Sequence, residues 1–446
     1  MWVVLLFSKE VTLDNSWDII VAGGGPSGCT AAAAAAREGK KVLLIESTGC
    51  LGGMGTAGLV PAWCPFSDQE KIIYKGLAER VFSETCRQMP HVAVQKCYWD
   101  WVPIDAEVLK RVYDELLQEF GVTVLFHTQV CHVDVADGRV TDVIVSNKGG
   151  LYAYAAQIYV DCTGDADLAV WAGADYSYGD DDGDVQAASM CFTLANVDPY
   201  YFEYHARLHP MYPESPIYQI IKDDRYPDIK DLHLCDALIG PGVIGFNAGH
   251  IWDVDTSDPF CVSRAQMKGR QMAKQFRDAL ATYQPDAFGS AHLVNTAPLV
   301  GIRETRRIHG LYTLTAEDFV ERRSFEDEIA RNCYYIDIHQ RPSKEGEQQT
   351  EKKNINGLHY KPGESHGIPY RCLIPQGLQN VLVAGRSISC DHVVQGSVRV
   401  MPVCLVTGEA AGVAAAMAAQ DHAGAVAQVD VQTLRRKLVE YGAYIH

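Results

Sequence analysis

The sequence lacks closely spaced cysteine pairs, although its 446 residues include 14 cysteines. Zinc ribbons, iron–sulfur clusters and redox-active dithiols all depend on such pairs, so the spacing argues against these three kinds of site. Scattered single cysteines are typical of small residues buried in a hydrophobic core. We therefore expect most of them to be structural.

Positive charge is scarce as well. The 39 lysines and arginines are outnumbered by 56 aspartates and glutamates, which gives a formal net charge of −17. The average field of such a chain repels nucleic acids and anionic membrane surfaces, so neither is an expected partner. A local basic site for one anionic substrate remains compatible with this charge.

No hydrophobic run reaches the length expected of a membrane span. The apolar segment over residues 1–11 is too short for a signal peptide and has no basic residues before it. These two absences predict a cytoplasmic protein without a membrane partner. The length of the chain predicts two domains and a large core, and it leaves the oligomeric state open, a homo-oligomer included.

The sequence does contain a nucleotide-binding pattern near its N-terminus. A short apolar strand over 18–22 leads into Gly23, Gly25 and Gly28, which have the spacing of the dinucleotide fingerprint. The first glycine permits the tight turn, the second leaves room for a pyrophosphate, and the third lets the next helix pack on the strand. The alanine-rich helix that follows would point its N-terminal amides at the phosphates.

A carboxylate and a second glycine-rich loop follow the next predicted strand. Glu46 lies 46 − 28 = 18 residues beyond Gly28, where a carboxylate accepts hydrogen bonds from ribose hydroxyls. The loop over 48–56 is not needed by a plain NAD domain but suits a bulky flavin, so FAD is the expected cofactor. Cys50 lies in this loop and is the one cysteine for which we weigh a redox role.

Next come two predicted helices and a set of short strands that ends in a buried strand before Thr163, Gly164 and Asp165. Period-two alternation with turns at 137–138 and 149–150 predicts an antiparallel β-meander. The predicted helices cover 69–88 and 105–120, and the predicted strands of the meander cover 122–126, 130–135, 140–146 and 151–155; the buried strand begins at Gln157 and ends in Thr163, Gly164 and Asp165.

The middle of the chain has no usable second nucleotide motif. The string over 240–245 fits the glycine fingerprint, but the following residues predict a strand and not a helix. Without a helix N-terminus there is no phosphate site, so a second, NAD-binding domain is not expected. A long helix is predicted over 263–283.

The C-terminal part is predicted to complete the nucleotide-binding domain. A buried strand over 380–386 ends at Gly385 and Arg386, and the segment 396–402 is predicted to open a helix that runs to about residue 420. Gly408 and Gly412 would let this helix pack closely on a neighbour.

Five sequence blocks together resemble the bacterial FAD-dependent oxidoreductase family. The flavin domain of that family is of the glutathione-reductase type and is related to that of the flavin-containing subunit of heterodisulfide reductase. The blocks are GGGPSG at 23–28, GCLGGMGT at 49–56, TGDADLA at 163–169, GIRETRRIHGLYTLT at 301–315 and the stretch 381–416.

The resemblance implies an α/β fold with two domains. A Rossmann-like FAD-binding domain, a parallel sheet with the inserted antiparallel meander, would comprise 15–190 and 371–446. An inserted α+β substrate domain would comprise 191–370.

The fingerprint and the resemblance together assign a set of cofactor-binding residues, and Val130 belongs to it through the resemblance alone. The set is Gly23, Gly25, Pro26, Ser27, Gly28, Glu46, Ser47, Gly52, Gly53, Met54, Thr56, Val130, Thr163, Gly164, Asp165, Gly385, Arg386, Gly396, Ser397, Val398 and Val400.

Two departures limit what the resemblance implies. The chain lacks the cysteine clusters of the heterodisulfide reductase flavoprotein, so electron transfer through its own iron–sulfur centres is not expected. It also lacks a His–Arg pattern that could be matched to fumarate reductases, which leaves a dicarboxylate substrate in doubt. No metal site is predicted.

Three residues are predicted to be catalytic. His392 should lie near the flavin as an acid–base or substrate-contacting group, Arg399 could favour the anionic reduced flavin, and Arg303 could grip substrate or cofactor. The alternatives are a structural histidine, a salt bridge and an internal Arg–Glu brace. His250, Tyr335, Asp337 and His339 are weaker candidates of the same kind.

The favoured interpretation is an enzyme that transfers a hydride between FAD and a small polar substrate such as a sugar derivative, hydroxy acid or amine. A reductase of an unsaturated substrate, fed by NAD(P)H or a partner protein, is the first alternative. An electron-transfer flavoprotein subunit of a larger complex is the second. The sequence does not identify the electron acceptor.

Overall fold

The computed structural model describes residues 8–93, 101–340, 357–421 and 424–446. Most of the predicted N-terminal apolar segment, residues 1–7, lies outside these ranges.

A five-stranded parallel sheet forms the centre of the molecule. Four of its five strands are fully buried, in keeping with sequences that, Asp161 apart, are apolar at consecutive and not at alternate positions. The predicted α/β fold with a Rossmann-like domain is confirmed. In spatial order the strands are Val381–Val383, Ile158–Asp161, Ile19–Ala22, Val42–Ile45 and Thr123–Leu125.

Two helices pack against each other on this sheet with almost no side chain between them. Helix Pro26–Arg37 presents fully buried alanines, and helix Met401–Asp421 meets it with Gly408 and Gly412. A Cβ at either glycine would lie 2.2 Å from a backbone oxygen of the first helix. The predicted close approach of the two backbones is therefore confirmed.

Helix Met401–Asp421 is long and apolar enough to cross a membrane. The expectation that the chain contains no apolar run of this length is therefore wrong. In the fold, 94% of its most apolar stretch is buried inside the protein. Its composition is explained by burial on every side, as in the core helix of an α/β enzyme.

The β-meander forms a second sheet, and it differs from the prediction at two points. The segment predicted as its first strand, 122–126, pairs with the parallel sheet. An unpredicted strand near the N-terminus takes the outer position instead and pairs in parallel. In spatial order the strands are Thr12–Asp14, Gly150–Tyr154, Arg139–Asn147 and Gln129–Ala136.

The middle of the chain contributes a four-stranded antiparallel sheet covered by helix Pro259–Tyr283. The string over 240–245 spans the turn of a hairpin in this sheet, which confirms that it opens no helix. In spatial order the strands are Leu234–Gly240, Val243–Ala248, Phe192–Ala195 and His292–Thr296.

This sheet and helix enclose a hydrophobic core of their own, whose buried residues run from Ala188 to Val300. Later residues that the inserted domain was predicted to contain, such as Leu314, Ile336 and Ile368, pack instead in the core of the parallel sheet. The predicted boundaries at 191 and 370 remain a prediction.

Short elements complete the described part of the chain. Three two-stranded ribbons pair Ala62–Trp63 with Val102–Pro103, Tyr176–Tyr178 with Arg306–Ile308, and Glu328–Asn332 with His366–Pro369. The further helices are Leu77–Arg87, Pro90–Ala93, Ala106–Glu119, Asp167–Trp171, Pro199–Tyr204, Ile217–Ile220, Pro285–Phe288, Ala316–Glu321, His392–Val398 and Val431–Glu440, with 3-10 turns at Gly53–Gly55, Tyr370–Leu373 and Val426–Gln428.

Two helix predictions differ from the structure. The helix predicted over 69–88 begins only at Leu77. The helix predicted to open at Gly396 is two helices, because the first ends at Val398 and the second begins at Met401. The break between them exposes residues 399 and 400 to the candidate site.

Candidate functional site

One large cavity, of about 510 Å³, runs from the first glycine turn to the antiparallel sheet of the middle segment. We call its two parts the dinucleotide arm and the chamber. The arm is lined by Gly23, Gly25, Pro26, Ser27, Glu46, Ser47, Gly53, Met54, Val130, Thr163, Gly164, Asp165, Gly385 and Arg386. The chamber is lined by Cys64, Trp101, Ser189, Cys191, Asn247, Arg303, Tyr334, Asp337, His339, Arg399, Val400 and Cys404, among others.

The glycines of the first turn divide the work as the fingerprint predicts. A Cβ at Gly23 would lie 2.4 Å from the carbonyl oxygen of Cys162, and one at Gly28 would lie 1.8 Å from that of Gly23. A Cβ at Gly25 would meet no protein atom within 4 Å. Gly25 therefore leaves room for a ligand, and the other two glycines permit the close packing of the protein itself.

Glu46 is fixed where the second strand of the fingerprint meets the arm. One carboxylate oxygen accepts from the amide of Gly24 at 2.7 Å, and the other accepts from the amide of Thr48 at 2.7 Å. The oxygen bound by Thr48 also accepts from the hydroxyl of Ser47 at 3.4 Å, whereas the oxygen bound by Gly24 keeps a further lone pair for a ribose hydroxyl, because a carboxylate oxygen can accept two hydrogen bonds.

At the other side of the arm, Arg386 forms an ion pair of 2.6 Å with Asp165. Asp165 also accepts from the hydroxyl of Thr305 at 2.6 Å. Arg386 lines the cavity, and its Nε atom is buried without a hydrogen-bond partner, so the guanidinium has an unused donor.

Six predicted cofactor residues lie behind the cavity wall. They are Gly28, Gly52, Thr56, Gly396, Ser397 and Val398. Thr56 donates to the carbonyl of Leu51 at 2.5 Å, and Ser397 donates to that of Tyr334 at 2.5 Å. These contacts support the loops that line the cavity.

The three predicted catalytic residues do not lie in one place. His392 begins a short helix and lies off the cavity wall, where its Nδ1 is 2.9 Å from Glu304. Glu304 is fully buried and also pairs with Arg307, so an internal Arg–Glu brace is present in this block, but it uses Arg307 and not the candidate Arg303. Only Arg303 and Arg399 reach the chamber.

Arg303 is held by neutral acceptors. It donates to the carbonyl of Ala187 at 2.6 Å and to the hydroxyl of Ser189 at 3.0 Å. Its own carbonyl accepts from Gln395 at 2.9 Å, and this glutamine belongs to helix His392–Val398. Burial and the nearby charge of Arg399 lower the pKa of Arg303 to about 10.

Asp337 connects several chamber residues. It accepts from the hydroxyl of Tyr334 at 3.1 Å and lies 3.3 Å from both Arg399 and His339. Burial by itself raises the pKa of this carboxyl, but its contacts with His339 and Arg399 and the more distant charge of Arg303 hold it well below the usual value. Asp337 is therefore ionised in the fold.

Two histidines continue this network into the protein. His339 Nδ1 lies 2.9 Å from His250 Nε2, and His250 Nδ1 lies 3.2 Å from Asp231. The series Asp231–His250–His339–Asp337, which we call the histidine chain, has three gaps. The one between the two rings is a hydrogen bond, whereas His250 Nδ1 meets Asp231 at ion-pair distance without being aligned for a hydrogen bond. Two neutral imidazoles carry only two protons, so one gap is left for a third.

Both histidines of the chain are neutral near pH 7. Burial lowers the pKa of His250, and burial together with the charge of Arg303 lowers the pKa of His339 to about 3. A neutral pair between two carboxylates has room for one more proton, although a pKa of about 3 at His339 means that the protein at rest near pH 7 does not hold it.

A third histidine, His233, lies close enough to suggest a metal site with His250 and His339. Its ring, however, stacks on that of His250 with centroids 4.3 Å apart and planes only 15° apart. Imidazole nitrogens bind metals in the plane of the ring, so two stacked rings cannot direct their lone pairs at one ion. The cluster has the geometry of a hydrogen-bonded chain.

Residues 18–438 match the family described as FAD dependent oxidoreductase. This chain belongs to that family. The match covers both parts of the cavity wall, and the cofactor of this FAD-dependent oxidoreductase is FAD.

A more distant curated relative is the thiamine thiazole synthase of Methanococcus aeolicus. It is 31% identical over 170 residues, which cover 36% of this chain and 60% of that protein. The chain thus spans about three fifths of the length of the curated relative that it matches.

Solved structures of flavoenzyme type cover nearly the whole chain at low identity. A geranylgeranyl bacteriochlorophyll reductase-like protein from Thermoplasma acidophilum is 12% identical, with 98% of this chain and 93% of that chain covered and a TM-score of 0.49. The anhydrotetracycline hydroxylase OxyS of Streptomyces rimosus is 12% identical, with 96% and 66% covered and a TM-score of 0.46. Likeness at this level says nothing about the substrate of this oxidoreductase.

The dinucleotide arm fits FAD on three observations. The space beside Gly25 can take a pyrophosphate, Arg386 has an unused donor, and one carboxylate oxygen of Glu46 keeps a free lone pair. The arm continues into the chamber at Val400 and Met401, where helix Met401–Asp421 begins. These residues would hold the cofactor and present its reactive end to the chamber.

The cysteines that line the chamber are protonated thiols. Burial raises the pKa of the Cys64, Cys191 and Cys404 thiols to about 12, so they remain protonated. Cys50, the one cysteine weighed for a redox role, does not line the cavity, and its sulfur lies 3.9 Å from the hydroxyl of Thr56.

Several chamber residues were not assigned from the sequence. Ser189, Cys191, Asn247 and Tyr334 come from separate strands and loops without a local motif. His339 was ranked below His392, because distance along the chain from the glycine strand was the only guide. No local signal would have paired His339 with His250.

Proposed function

We propose that this protein oxidises a small polar organic substrate by transferring a hydride to FAD. The candidates are a hydroxy acid, a sugar derivative and an amine. The observation that carries the proposal is the histidine chain, which meets the same cavity as the dinucleotide arm. A hydride acceptor and a proton acceptor on one cavity are the two groups that such an oxidation needs.

FAD and the histidine chain together can accept the hydride and the proton that the oxidation releases. FAD, when bound, supplies the oxidant by accepting a hydride with both electrons of the substrate C–H bond. The O–H or N–H bond next to that carbon also breaks, and a C=O or C=N bond forms. Its proton enters the histidine chain at His339 or Asp337, since both line the chamber.

The chamber residues also orient the substrate. Tyr334 and Arg399 hold Asp337, and the backbone amide of His339 donates to Gln186 at 3.3 Å. Gln186 donates in turn to Gln395 at 2.7 Å, and Gln395 holds Arg303. One network therefore fixes both the proton acceptor and a cation relative to the cavity.

The test is an anaerobic absorbance titration of the FAD-loaded protein with hydroxy acids, sugars, amines, NADH and NADPH in turn. Bleaching of the flavin by one of the organic substrates is expected. With that substrate, His339→Asn should slow flavin reduction by about 10²- to 10⁴-fold, the usual contribution of a positioned acid–base group.

The matched control is His309→Asn, because His309 is exposed and lies away from the cavity wall. Bleaching by NADH or NADPH alone would favour a reductase of an unsaturated substrate. Bleaching only by a partner protein would favour a role as an electron-transfer component of a complex. A protein that neither contains nor binds a flavin would contradict every form of the proposal.

We further propose that the flavin domain is of the glutathione-reductase type, related to that of the flavin-containing subunit of heterodisulfide reductase, and that the protein acts in the cytoplasm. The meander between the parallel strands and the cavity-lining position of Val130 support the first point. A structure with bound FAD tests it, since the adenine should then lie against the backbone of Val130.

A further inference from the structure

Arg303 differs from the other buried arginines of the described chain. Arg307 and Arg331 each form an ion pair with a fully buried glutamate, Glu304 and Glu328 respectively. Arg303 is as deeply buried, with 8% of its surface exposed, but among the described residues no carboxylate forms an ion pair with it.

A buried guanidinium without a counterion is costly, because desolvation removes the water that stabilises its charge. Its two hydrogen-bond acceptors are a backbone carbonyl and a hydroxyl, and both are neutral. They use one of the two terminal nitrogens. The rest of the planar donor edge remains available where the side chain lines the chamber.

The wall of the chamber carries an excess of positive charge. Arg303 and Arg399 face it with two guanidinium groups, and Asp337 is the single ionised carboxylate among the chamber residues. Asp337 is shared between Arg399 and His339, and its charge acts on Arg303 only from beyond ion-pair distance. In the dinucleotide arm, by contrast, Arg386 has its own partner in Asp165.

We propose that Arg303 binds a carboxylate of the substrate, so that the substrate is a small organic acid. This inference rests on the function proposed above and narrows its substrate to hydroxy acids and amino acids. The planar fork of arginine matches a carboxylate with two parallel hydrogen bonds. The incoming anion then supplies the counterion that the fold leaves out.

The position of Arg303 also suits this role. It lies close enough to His339 for its charge to act on that ring. An acid held by Arg303 therefore places its neighbouring carbon and hydroxyl or amine toward the histidine chain. The network from Gln186 to Gln395 keeps the two groups in a fixed relation.

The first test measures binding without turnover. Oxamate and oxamide differ by one carboxylate in place of an amide, and isothermal titration calorimetry of the FAD-loaded protein compares them. Oxamate is expected to bind at least about tenfold more tightly than oxamide. Equal binding of the two, or no binding of oxamate, would overturn the proposal.

The second test uses variants. Arg303→Gln should weaken oxamate binding at least about tenfold and leave oxamide unaffected, and Arg303→Lys should give an intermediate value. Arg270→Gln, on the exposed face of helix Pro259–Tyr283, is the matched control. Flavin content and melting temperature show that each variant is folded.

The two proposals fail in different ways. If neutral sugars or amines bleach the flavin as efficiently as 2-hydroxy and 2-amino acids, the proposal that Arg303 binds a substrate carboxylate is contradicted, while the oxidoreductase function stands. If a phosphate ester is the only acid that binds or reacts, the proposed carboxylate binding is again contradicted. If oxamate binds through Arg303 but no acid reduces the flavin, the site stands and the proposed reaction fails.

Discussion

Gly25 and Gly28 lie in one turn and have opposite surroundings. The Cβ of an alanine at Gly28 would overlap the carbonyl oxygen of Gly23, whereas one at Gly25 would project into empty cavity. The backbone of Gly25, with φ of −70°, is open to any residue. The same residue type therefore serves the ligand at one position and the fold at the other.

Gly25→Ala should leave the apo protein as stable as the wild type and weaken FAD binding, because the added methyl group occupies ligand space. Gly28→Ala should lower the free energy of unfolding by about 1–3 kcal/mol or more, since it overpacks the helix on the strand. Urea unfolding of the apo forms and a fluorescence titration with FAD check both. Equal loss of stability in the two variants would contradict the assignment.

At the scale of elements, helix Met401–Asp421 and helix Pro26–Arg37 depend on each other. The hydroxyl of Thr30 donates to the carbonyl of Leu405 at 2.7 Å, across the line of contact. Gly412 approaches the backbone of Ala31 at a distance that leaves no room for a side chain. The alanines and glycines are thus a packing surface, and their small size sets the position of both helices on the sheet.

Gly412→Ala should destabilise the protein by about 1–3 kcal/mol, although alanine has the higher helix propensity by about 1 kcal/mol. Urea unfolding followed by circular dichroism measures the change. Gln420→Ala, at the exposed end of the same helix, is the control and should be neutral or slightly stabilising. A stabilising effect of Gly412→Ala would mean that the two backbones are not in contact.

The whole molecule carries an acidic surface over a core that also contains buried neutral histidines. His366 is fully buried, accepts from Asn332 Nδ2 at 3.0 Å and lies 3.1 Å from the carbonyl of Gly367. Burial lowers its pKa to about 4; of the charged groups nearby, Arg331 lowers this pKa and Asp318 raises it. In the unfolded chain the pKa returns to about 6.5.

The lowered pKa of His366 makes the stability of the fold depend on pH. Between about pH 6.5 and pH 4 the unfolded chain binds a proton at this histidine and the folded protein does not, so stability falls as the pH falls. The contribution of His366 between pH 7 and pH 5 is about 2 kcal/mol. His366→Gln should reduce the pH dependence of the unfolding free energy by this amount, as measured by urea unfolding at pH 7 and pH 5.

The sequence by itself determined the nucleotide-binding half of this protein. The strand, the three glycines, Glu46 and the tight helix pair follow from local spacing, because each depends on residues close together in the chain or on the size of a side chain. FAD and the family followed from the same stretches. Of the predicted cofactor residues, those in the glycine turns and at strand ends line the cavity.

Tertiary structure alone decided the chamber. The histidine chain joins Asp231, His250 and His339, which are far apart in the sequence and belong to no motif. His392 looked closer to the flavin, but folding directs it to Glu304 and leaves Arg303 facing the cavity without a counterion. Which side chains face a cavity depends on packing between distant segments of the chain, and no local sequence pattern encodes that packing.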